Sequence, residues 1–329
     1  MSSGNGQGHA HLDLLEPRFP QLPEQAVVTP APRRRPWTIA LILFLLTVLS
    51  TLAVGAQFAQ SYAMNQAPFS GDENPFSGIF SAYVHPSLFL LGIPFSFTLL
   101  GILLAHELGH YFACRYYGIN ASYPYFIPAP TIIGTLGAFI RIRSPISHRT
   151  ALFDVGIAGP VVGFLFAVPA LVLGILYSKV VTGAQADASI VFGNPLLVKG
   201  LIALLRPGVP ADDLLMHPVA RAAWVGLFAT ALNLLPAGQL DGGHIVYSVA
   251  SDKHRRISLA VVIALLPLAI FWAGWIFWSV LLLLIGFRHP PLLDRWEPLD
   301  RTRRAWAVVA LVIFLLCFTP MPFANPWWR

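Results

Sequence analysis

His106-Glu107-Leu108-Gly109-His110 is the stretch that decides the fold, because it places ionisable side chains inside an apolar segment. The preceding residues, 86–105, are apolar over about the length of one bilayer-spanning helix. Residues four apart share one face of a helix, so His106 and His110 can bind one zinc ion. Glu107 lies beside them, where it can act as a general base. Such groups are costly at membrane depth unless a metal or partner compensates, so the stretch predicts a functional metal site.

The composition indicates an all-α polytopic membrane protein. Of 329 residues, 56% are hydrophobic and 11% charged, and the mean hydropathy is +0.66. The net charge of +6 comes from basic residues between apolar segments, which indicates membrane topology and no nucleic-acid partner. The two cysteines, Cys114 and Cys317, lie in separate apolar segments and offer neither a disulfide framework nor a CxxC metal site.

The apolar segments predict about seven spans and divide the chain into four regions. These are a disordered cytoplasmic tail (1–36), an extra N-terminal span (37–57), a catalytic core (86–250) and extra C-terminal spans (257–329). The apolar run 257–287 is too long for one comfortable helix, and we interpret it as a hairpin broken near Ala273-Gly274.

Charge then predicts the orientation. With this hairpin, most of the 21 Lys and Arg residues fall on the side of the membrane where the predicted site lies, which is therefore cytoplasmic. The N-terminal tail is poor in Ser and carries acidic residues, unlike a plastid transit peptide. We therefore expect a bacterial inner membrane.

Residues 119–150 are neither an apolar span nor an ordinary polar loop. Proline interrupts Tyr123–Pro130, and Thr131–Arg143 mixes β-formers with glycine. We interpret the segment as a re-entrant strand or hairpin, whose backbone must be satisfied by protein or water. Its edge could pair with an extended substrate, or the hairpin could only plug the helix bundle.

A catalytic zinc ion needs a third protein ligand, and Asp241 is the best candidate. It lies at the end of a predicted span that begins near Val219, in an otherwise uncharged stretch. The flanking Gly242-Gly243 would let the backbone approach a metal or another helix closely. Asp241 as a plain helix cap is the alternative.

These motifs together resemble a known family. Asn233-Leu-Leu-Pro236, continuing to Asp241-Gly242, combined with a membrane-embedded His-Glu-Leu-Gly-His, resembles the site-2 protease family of intramembrane zinc metalloproteases (peptidase M50-like). The resemblance covers about residues 86–250 and is greatest to the branch without a PDZ insertion. It implies one Zn²⁺ per chain held by His106, His110 and Asp241, and Glu107 as catalytic acid/base. It also implies that Asn233 contacts the substrate backbone; an interhelical hydrogen bond is the alternative.

The implied function is hydrolysis of peptide bonds in transmembrane segments of other membrane proteins, as in regulated intramembrane proteolysis. The partners would be these substrates and the lipid bilayer, with a homo-oligomer possible. Two alternatives stay open: a catalytically silent homologue that only binds membrane clients, and a divalent-metal transporter. A transporter would need ligands in both halves of the membrane, and the far halves of these spans carry almost none.

Several other polar residues have simpler interpretations. His244 could lie beside the metal ligands, but we interpret it as a residue at a helix start. His148 and His254 adjoin basic residues and are predicted to be solvated. Asp154, at the start of its span, is interpreted as a favourable N-terminal helix charge.

Overall fold

Helices form most of the described chain, which comprises residues 36–69, 77–183, 188–286, 292 and 298–324 of this computed structural model. Residues 1–35 of the predicted tail lie outside this range. The ten α-helices of the described residues are α1 Pro36–Ala63, α2 Ser77–Val84, α3 Ile93–Tyr116, α4 Arg149–Leu176, α5 Leu196–Leu205, α6 Pro218–Asn233, α7 Asp241–Ala250, α8 His254–Leu268, α9 Gly274–Ile285 and α10 Arg301–Cys317. The strands are β1 Tyr125–Pro128, β2 Thr135–Phe139, β3 Lys179–Val180, β4 Val191–Phe192, β5 Leu214–Leu215 and β6 Phe323–Ala324.

Three of the described helical segments are long and apolar enough to cross a membrane. They are Trp37–Ala63, Pro86–Tyr116, in which a 3-10 turn (Pro86–Gly92) leads into α3, and Arg149–Leu176. The expected number of about seven spans is not confirmed. Helices α6, α8, α9 and α10 have 16, 15, 12 and 17 residues. At 1.5 Å per residue each is shorter than the hydrocarbon core of about 30 Å.

The centre of the fold is a packed group of α3, α4 and α6, and α3 makes its most extensive contacts with α4. Glycine makes this packing possible. A Cβ atom on Gly109 of α3 would lie 2.6 Å from the carbonyl oxygen of Ala158 in α4. Only a residue without a side chain lets the two backbones come this close. Gly109 therefore allows α4 to pack closely against the helix that carries both histidines.

The helix ends separate into two groups, as expected for helices that alternate in direction. At one end, Arg303 of α10 contacts Asp154 of α4 and Tyr117 just after α3. At the opposite end, the Tyr62 hydroxyl of α1 donates to the carbonyl oxygen of Tyr177, just after α4. The ends grouped with Arg303 are those that the charge pattern assigns to the cytoplasmic side.

The segment between α3 and α4 forms a β-hairpin, and its re-entry into the membrane stays a prediction. Strands β1 and β2 are antiparallel, with Tyr125 opposite Phe139 and Pro128 opposite Thr135. The register is irregular between Phe126 and Pro128, and Gly137 in β2 has φ +101°. This left-handed conformation favours glycine and indicates a β-bulge. Ser50 of α1 anchors the hairpin by donating to the Gly134 carbonyl oxygen over 2.6 Å.

The segment that carries Asp241 differs from the sequence expectation. We expected one span to run from about Val219 to the aspartate. Instead α6 ends at Asn233, an irregular loop follows, and Asp241 is the first residue of the separate helix α7. Pro236 lacks the backbone N–H that a continuing helix needs, and Gly238 has φ +59°, which ends the helical path.

The apolar run 257–287 is divided where the sequence predicts. Helix α8 ends at Leu268, α9 begins at Gly274, and the two helices pack against each other. Pro267 in the last turn of α8 and the Ala273-Gly274 pair mark this break.

Candidate metal centre

Three side chains from two distant parts of the chain meet at one point. The Nε2 atoms of His106 and His110, one helical turn apart on α3, lie 3.1 Å from each other. Oδ2 of Asp241 lies 3.2 Å from the His106 Nε2 and 3.3 Å from the His110 Nε2. Both histidines are buried, and the Asp241 side chain is largely so. The structure thus brings together the three predicted ligands.

These separations fit a zinc ion. Tetrahedral zinc binds nitrogen and oxygen at about 2.0–2.1 Å, which places neighbouring ligand atoms roughly 3.3 Å apart. The three ligand atoms are separated by 3.1, 3.2 and 3.3 Å, nearly the face of such a tetrahedron. Two imidazoles with one carboxylate are also a donor set typical of catalytic zinc, which leaves the fourth position for water or substrate.

Helix α4 orients His110. Its Nδ1 lies 2.7 Å from the carbonyl oxygen of Val155, which can only accept a hydrogen bond. The proton therefore sits on Nδ1, and Nε2 keeps its lone pair for a metal. Two glycines of α4 make room for the rings: a Cβ on Gly159 would lie 2.1 Å from the His110 Nε2, and one on Gly163 would lie 3.0 Å from the His106 Nδ1.

Glu107 lies on the same turn of α3 as the histidines and is 4% exposed. The backbone N–H of Ile140, just after β2, faces its carboxylate, and both residues line one cavity. This contact joins the hairpin to the acid that is predicted to carry the proton.

Asn233 also reaches the site. As the last residue of α6, it places its Nδ2 atom 3.2 Å from the His106 Nε2. An uncharged amide at this distance can donate to an oxygen atom bound next to the ligands.

A cavity of about 210 Å³ opens onto these groups. The ligands, Glu107 and Asn233 line one part of it, and Phe139, Ile140 and Leu240 contribute apolar surface. Ala138, Phe139 and Ile140, at the end of the hairpin, form one wall of this cavity.

Three secondary interpretations are now decided. His244 lines the cavity, but its Cβ faces Gly156 of α4, and it is not part of the three-ligand cluster. His148 is exposed, as predicted. The prediction for His254 is wrong: it is 2% exposed, with its Nε2 3.2 Å from the Gly238 carbonyl oxygen, so it holds the loop before α7.

The glycines after Asp241 were expected to let the backbone approach a metal or another helix, and they make a different contact. Cβ atoms on Gly242 and Gly243 would lie 2.1 Å from the Leu234 carbonyl oxygen and 2.4 Å from that of Gly238. They therefore admit the backbone of the preceding loop, not a metal. This close contact turns the start of α7, and with it Asp241, toward α3.

Sequence reasoning missed two backbone groups and one ion pair. The Val155 carbonyl and the Ile140 N–H belong to apolar residues, whose backbone contacts leave no mark in a sequence. Asp154 was interpreted as a helix-terminal charge, and instead pairs with Arg303 at 2.6 Å. The only available signal was an acid in the first turns of an apolar helix.

The comparisons with known proteins agree with this geometry. The profile of "Peptidase family M50" matches residues 94–274. The chain is 31% identical over 306 residues to "Probable zinc metalloprotease EGY1, chloroplastic" of Arabidopsis thaliana, covering 87% of this chain and 53% of that protein. It is 31% identical over 253 residues to EGY2 of the same plant, covering 75% of this chain and 45% of EGY2.

A rice relative extends the likeness. The protein named EGY1 of Oryza sativa subsp. japonica is 29% identical over 308 residues, covering 87% of this chain and 50% of the relative. The chain thus spans about half the length of these curated relatives. No solved structure gives a significant match. With its ligand cluster inside the matched region, the chain belongs to peptidase family M50, the site-2 protease family.

Proposed function

We propose that the protein is an integral-membrane zinc endopeptidase that hydrolyses peptide bonds in transmembrane segments of other membrane proteins. The observation that carries this proposal is the spacing of the His106, His110 and Asp241 ligand atoms at 3.1–3.3 Å, with Glu107 beside them. Family membership and the relatives named as zinc metalloproteases support it. We expect one zinc ion per chain.

A bound zinc ion would supply a Lewis acid that polarises the substrate carbonyl and lowers the pKa of a water toward about 7. The remaining chemistry belongs to the protein. Glu107 takes the proton of the attacking water and delivers it to the leaving amine. Its burial against the hairpin excludes bulk water from that transfer. Asn233 donates its amide N–H to the substrate carbonyl oxygen as negative charge develops there.

The substrate must be extended at the scissile bond, because a helix shields its own backbone. Strand β2 pairs with β1 on one side, and among the described residues no strand occupies its other side. Phe139, the last residue of β2, and Ile140, which follows it, form part of the cavity wall. We propose that this edge pairs with the unwound substrate and guides its carbonyl toward the ligands.

Apolar side chains on the outside of the helices support a location within the bilayer. Phe97 of α3 is 80% exposed, and Leu311 of α10 and Ile276 of α9 are more than half exposed. A surface of this kind fits lipid as its solvent. We propose that the shorter helices α6 and α8–α10 are also embedded, that β1–β2 re-enters the membrane, and that the site faces the cytoplasm.

We further propose a bacterial inner membrane as the location. The support is the charge pattern, in which most Lys and Arg residues fall on one side of the predicted spans. The plant relatives named above are chloroplastic. Labelling of single cysteines placed in the Asp252–Lys253 turn and at Asn65, in intact cells and in inverted vesicles, tests the orientation.

Two other functions are less well supported. For a silent client-binding protein, the buried Glu107 beside three ligands would have no use. For a metal transporter, a second ligand group along the pathway is expected. The described residues contain one group of three or more metal-ligating side chains.

The test is zinc stoichiometry of the detergent-purified protein. We expect about one zinc per chain in the wild type and none in His106→Ala or Asp241→Ala. His244→Ala is the matched control, because it removes an imidazole from the same cavity and should keep the metal. Zinc retained in Asp241→Ala would contradict the ligand set, and a wild type without zinc would contradict the proposed function.

A further inference from the structure

A cluster of polar side chains joins three helices at the end of the bundle assigned to the cytoplasm. The guanidinium of Arg303 in α10 forms a bidentate ion pair with Asp154 of α4. Its Nε lies 2.8 Å from Oδ1, and a terminal nitrogen lies 2.6 Å from Oδ2. The Tyr117 hydroxyl, just after α3, donates to the same Oδ2 over 2.5 Å. It also accepts from Arg303 over 3.2 Å.

A second carboxylate, that of Asp300, also holds Arg303 in place. Asp300, at the start of α10, caps the helix by accepting from the Arg303 backbone N–H at 2.7 Å, and its carboxylate also contacts the Arg303 guanidinium. The bond to Asp154 raises the pKa of Arg303, and burial together with the bond to Asp154 raises the pKa of Tyr117. Arg303 stays charged and Tyr117 stays protonated at neutral pH, as these bonds require.

This cluster adjoins a residue that orients one of the proposed metal ligands. Asp154 directly precedes Val155, whose carbonyl oxygen orients His110 over 2.7 Å. Tyr117 lies seven residues after His110, at the end of the same helix. The ion pair thus fixes the two helices on either side of the His110–Val155 hydrogen bond. Arg303 itself lies beyond residues 94–274, the part that matches the family.

We propose that Arg303 is a positioning residue for the metal centre. By binding Asp154 and Tyr117 together, it fixes the first turns of α4 against the end of α3 and keeps the Val155 carbonyl aligned with His110. Helix α10 then completes the site without touching it. This inference rests on the proposed function, because it concerns the zinc ligands.

The geometry favours positioning over simple stabilisation. The Arg303 and Asp154 side chains are 25% and 28% exposed, so solvent still screens part of the attraction between them. The bidentate geometry of the pair does fix direction, which a lysine ammonium cannot reproduce. The expected effect of losing it is therefore on the ligands more than on unfolding.

The experiment measures zinc affinity of the full-length protein by chelator competition, together with the visible spectrum of the Co²⁺-substituted protein. Arg303→Gln should weaken zinc binding about tenfold, the lower end for residues that orient a ligand. It should also change the Co²⁺ bands and lower kcat more than KM. Arg303→Lys should fall between it and the wild type. Arg304→Gln is the control, since it removes the same charge from an exposed neighbour.

Asp154→Asn provides a second route, should Arg303→Gln fail to fold. It should reproduce the loss of affinity, and the double variant should be no worse than either single one. Zinc affinity and Co²⁺ spectra of Arg303→Gln equal to those of Arg304→Gln would overturn the inference. So would a lowered melting temperature with unchanged affinity. If the wild type binds no zinc, the proposed function fails first; a zinc-binding wild type with an unaffected Arg303→Gln overturns this inference alone.

Discussion

Gly159 lies directly against the imidazole of His110, so that a Cβ atom at position 159 would stand 2.1 Å from Nε2. That nitrogen is one of the three proposed ligand atoms. Helix α4 therefore takes part in the site through the absence of a side chain, which sets how near the ring can come to the α4 backbone. The consequence is a steric test of the metal centre that changes no polar group.

Gly159→Ala should lower zinc affinity by about 10- to 100-fold, because the added methyl group displaces the His110 ring from its ligand position. Gly101→Ala is the matched control on α3. Apart from its chain neighbours and the nearby backbone of α3, no atom of the described residues lies within 4 Å of its Cβ position, so zinc binding should not change. Chelator competition measures both variants. Equal affinities would mean that the ring can move without losing the metal.

Glu107→Gln should reduce cleavage of a transmembrane substrate by about 10²–10⁴-fold while zinc stays bound. The amide keeps the shape of the carboxylate but cannot accept the proton. Cleavage in detergent or liposomes, with zinc content measured on the same sample, tests this. Asp252→Asn, which removes an exposed acid, should cleave normally. An active Glu107→Gln enzyme would show that Glu107 is not the general base.

Gly137→Ala should weaken substrate use without affecting zinc. Gly137 has φ +101° within β2, so an alanine there costs about 1–3 kcal/mol and distorts the proposed pairing edge. Gly208→Ala carries a similar strain, at φ +81°, in the loop after α5, and serves as control. We expect a raised KM for Gly137→Ala only. If both variants behave alike, the hairpin edge has no role in substrate binding.

Asn233→Ala should lower kcat by about 10²-fold or more, because it removes a donor aimed at the developing oxyanion. Zinc content should be unchanged, since Asn233 is not a ligand. Asn233→Asp would place a negative charge at the same point and should be at least as damaging. A variant with normal kcat would indicate that the amide only forms the 3.2 Å contact with His106.

Removal of zinc should lower the thermal stability of the wild type, because a ligand that binds only the folded state stabilises it. At a hundredfold excess over Kd the contribution is about 2.7 kcal/mol. A melting curve with and without a chelator measures the difference. Asp241→Ala, which lacks one ligand, should melt at the same temperature in both. A chelator effect of equal size in that variant would point to a site elsewhere.

Much of the candidate site is readable from local spacing. The histidines of His106-Glu107-Leu108-Gly109-His110 must share a helix face, because the helix repeat is 3.6 residues and the segment is apolar. The break in the apolar run 257–287 was predictable for two reasons. The run is longer than one span, and the break places most Lys and Arg residues of the chain on one side of the membrane. Asp241 could be predicted as the third ligand because it is the one acid in an otherwise uncharged stretch.

The errors arose where backbone geometry decides the outcome. The expected single span through Asp241 is a helix, a loop and a second helix, because Pro236 and Gly238 interrupt the backbone. His254 adjoins basic residues in sequence and is nevertheless buried against that loop. Neighbours in sequence do not show which way a short helix faces.

The sequence by itself determined the family, the membrane character and the candidate ligands. The apolar composition, the histidine spacing along one helix and the lone acid Asp241 in an uncharged stretch carry that information. Only the tertiary structure decided what holds the ligands in place. The Val155 carbonyl, the Ile140 N–H and the Arg303–Asp154 pair come from segments distant in the chain. Their positions depend on how α4, β2 and α10 pack against α3, and packing between distant segments has no local signature in a single sequence.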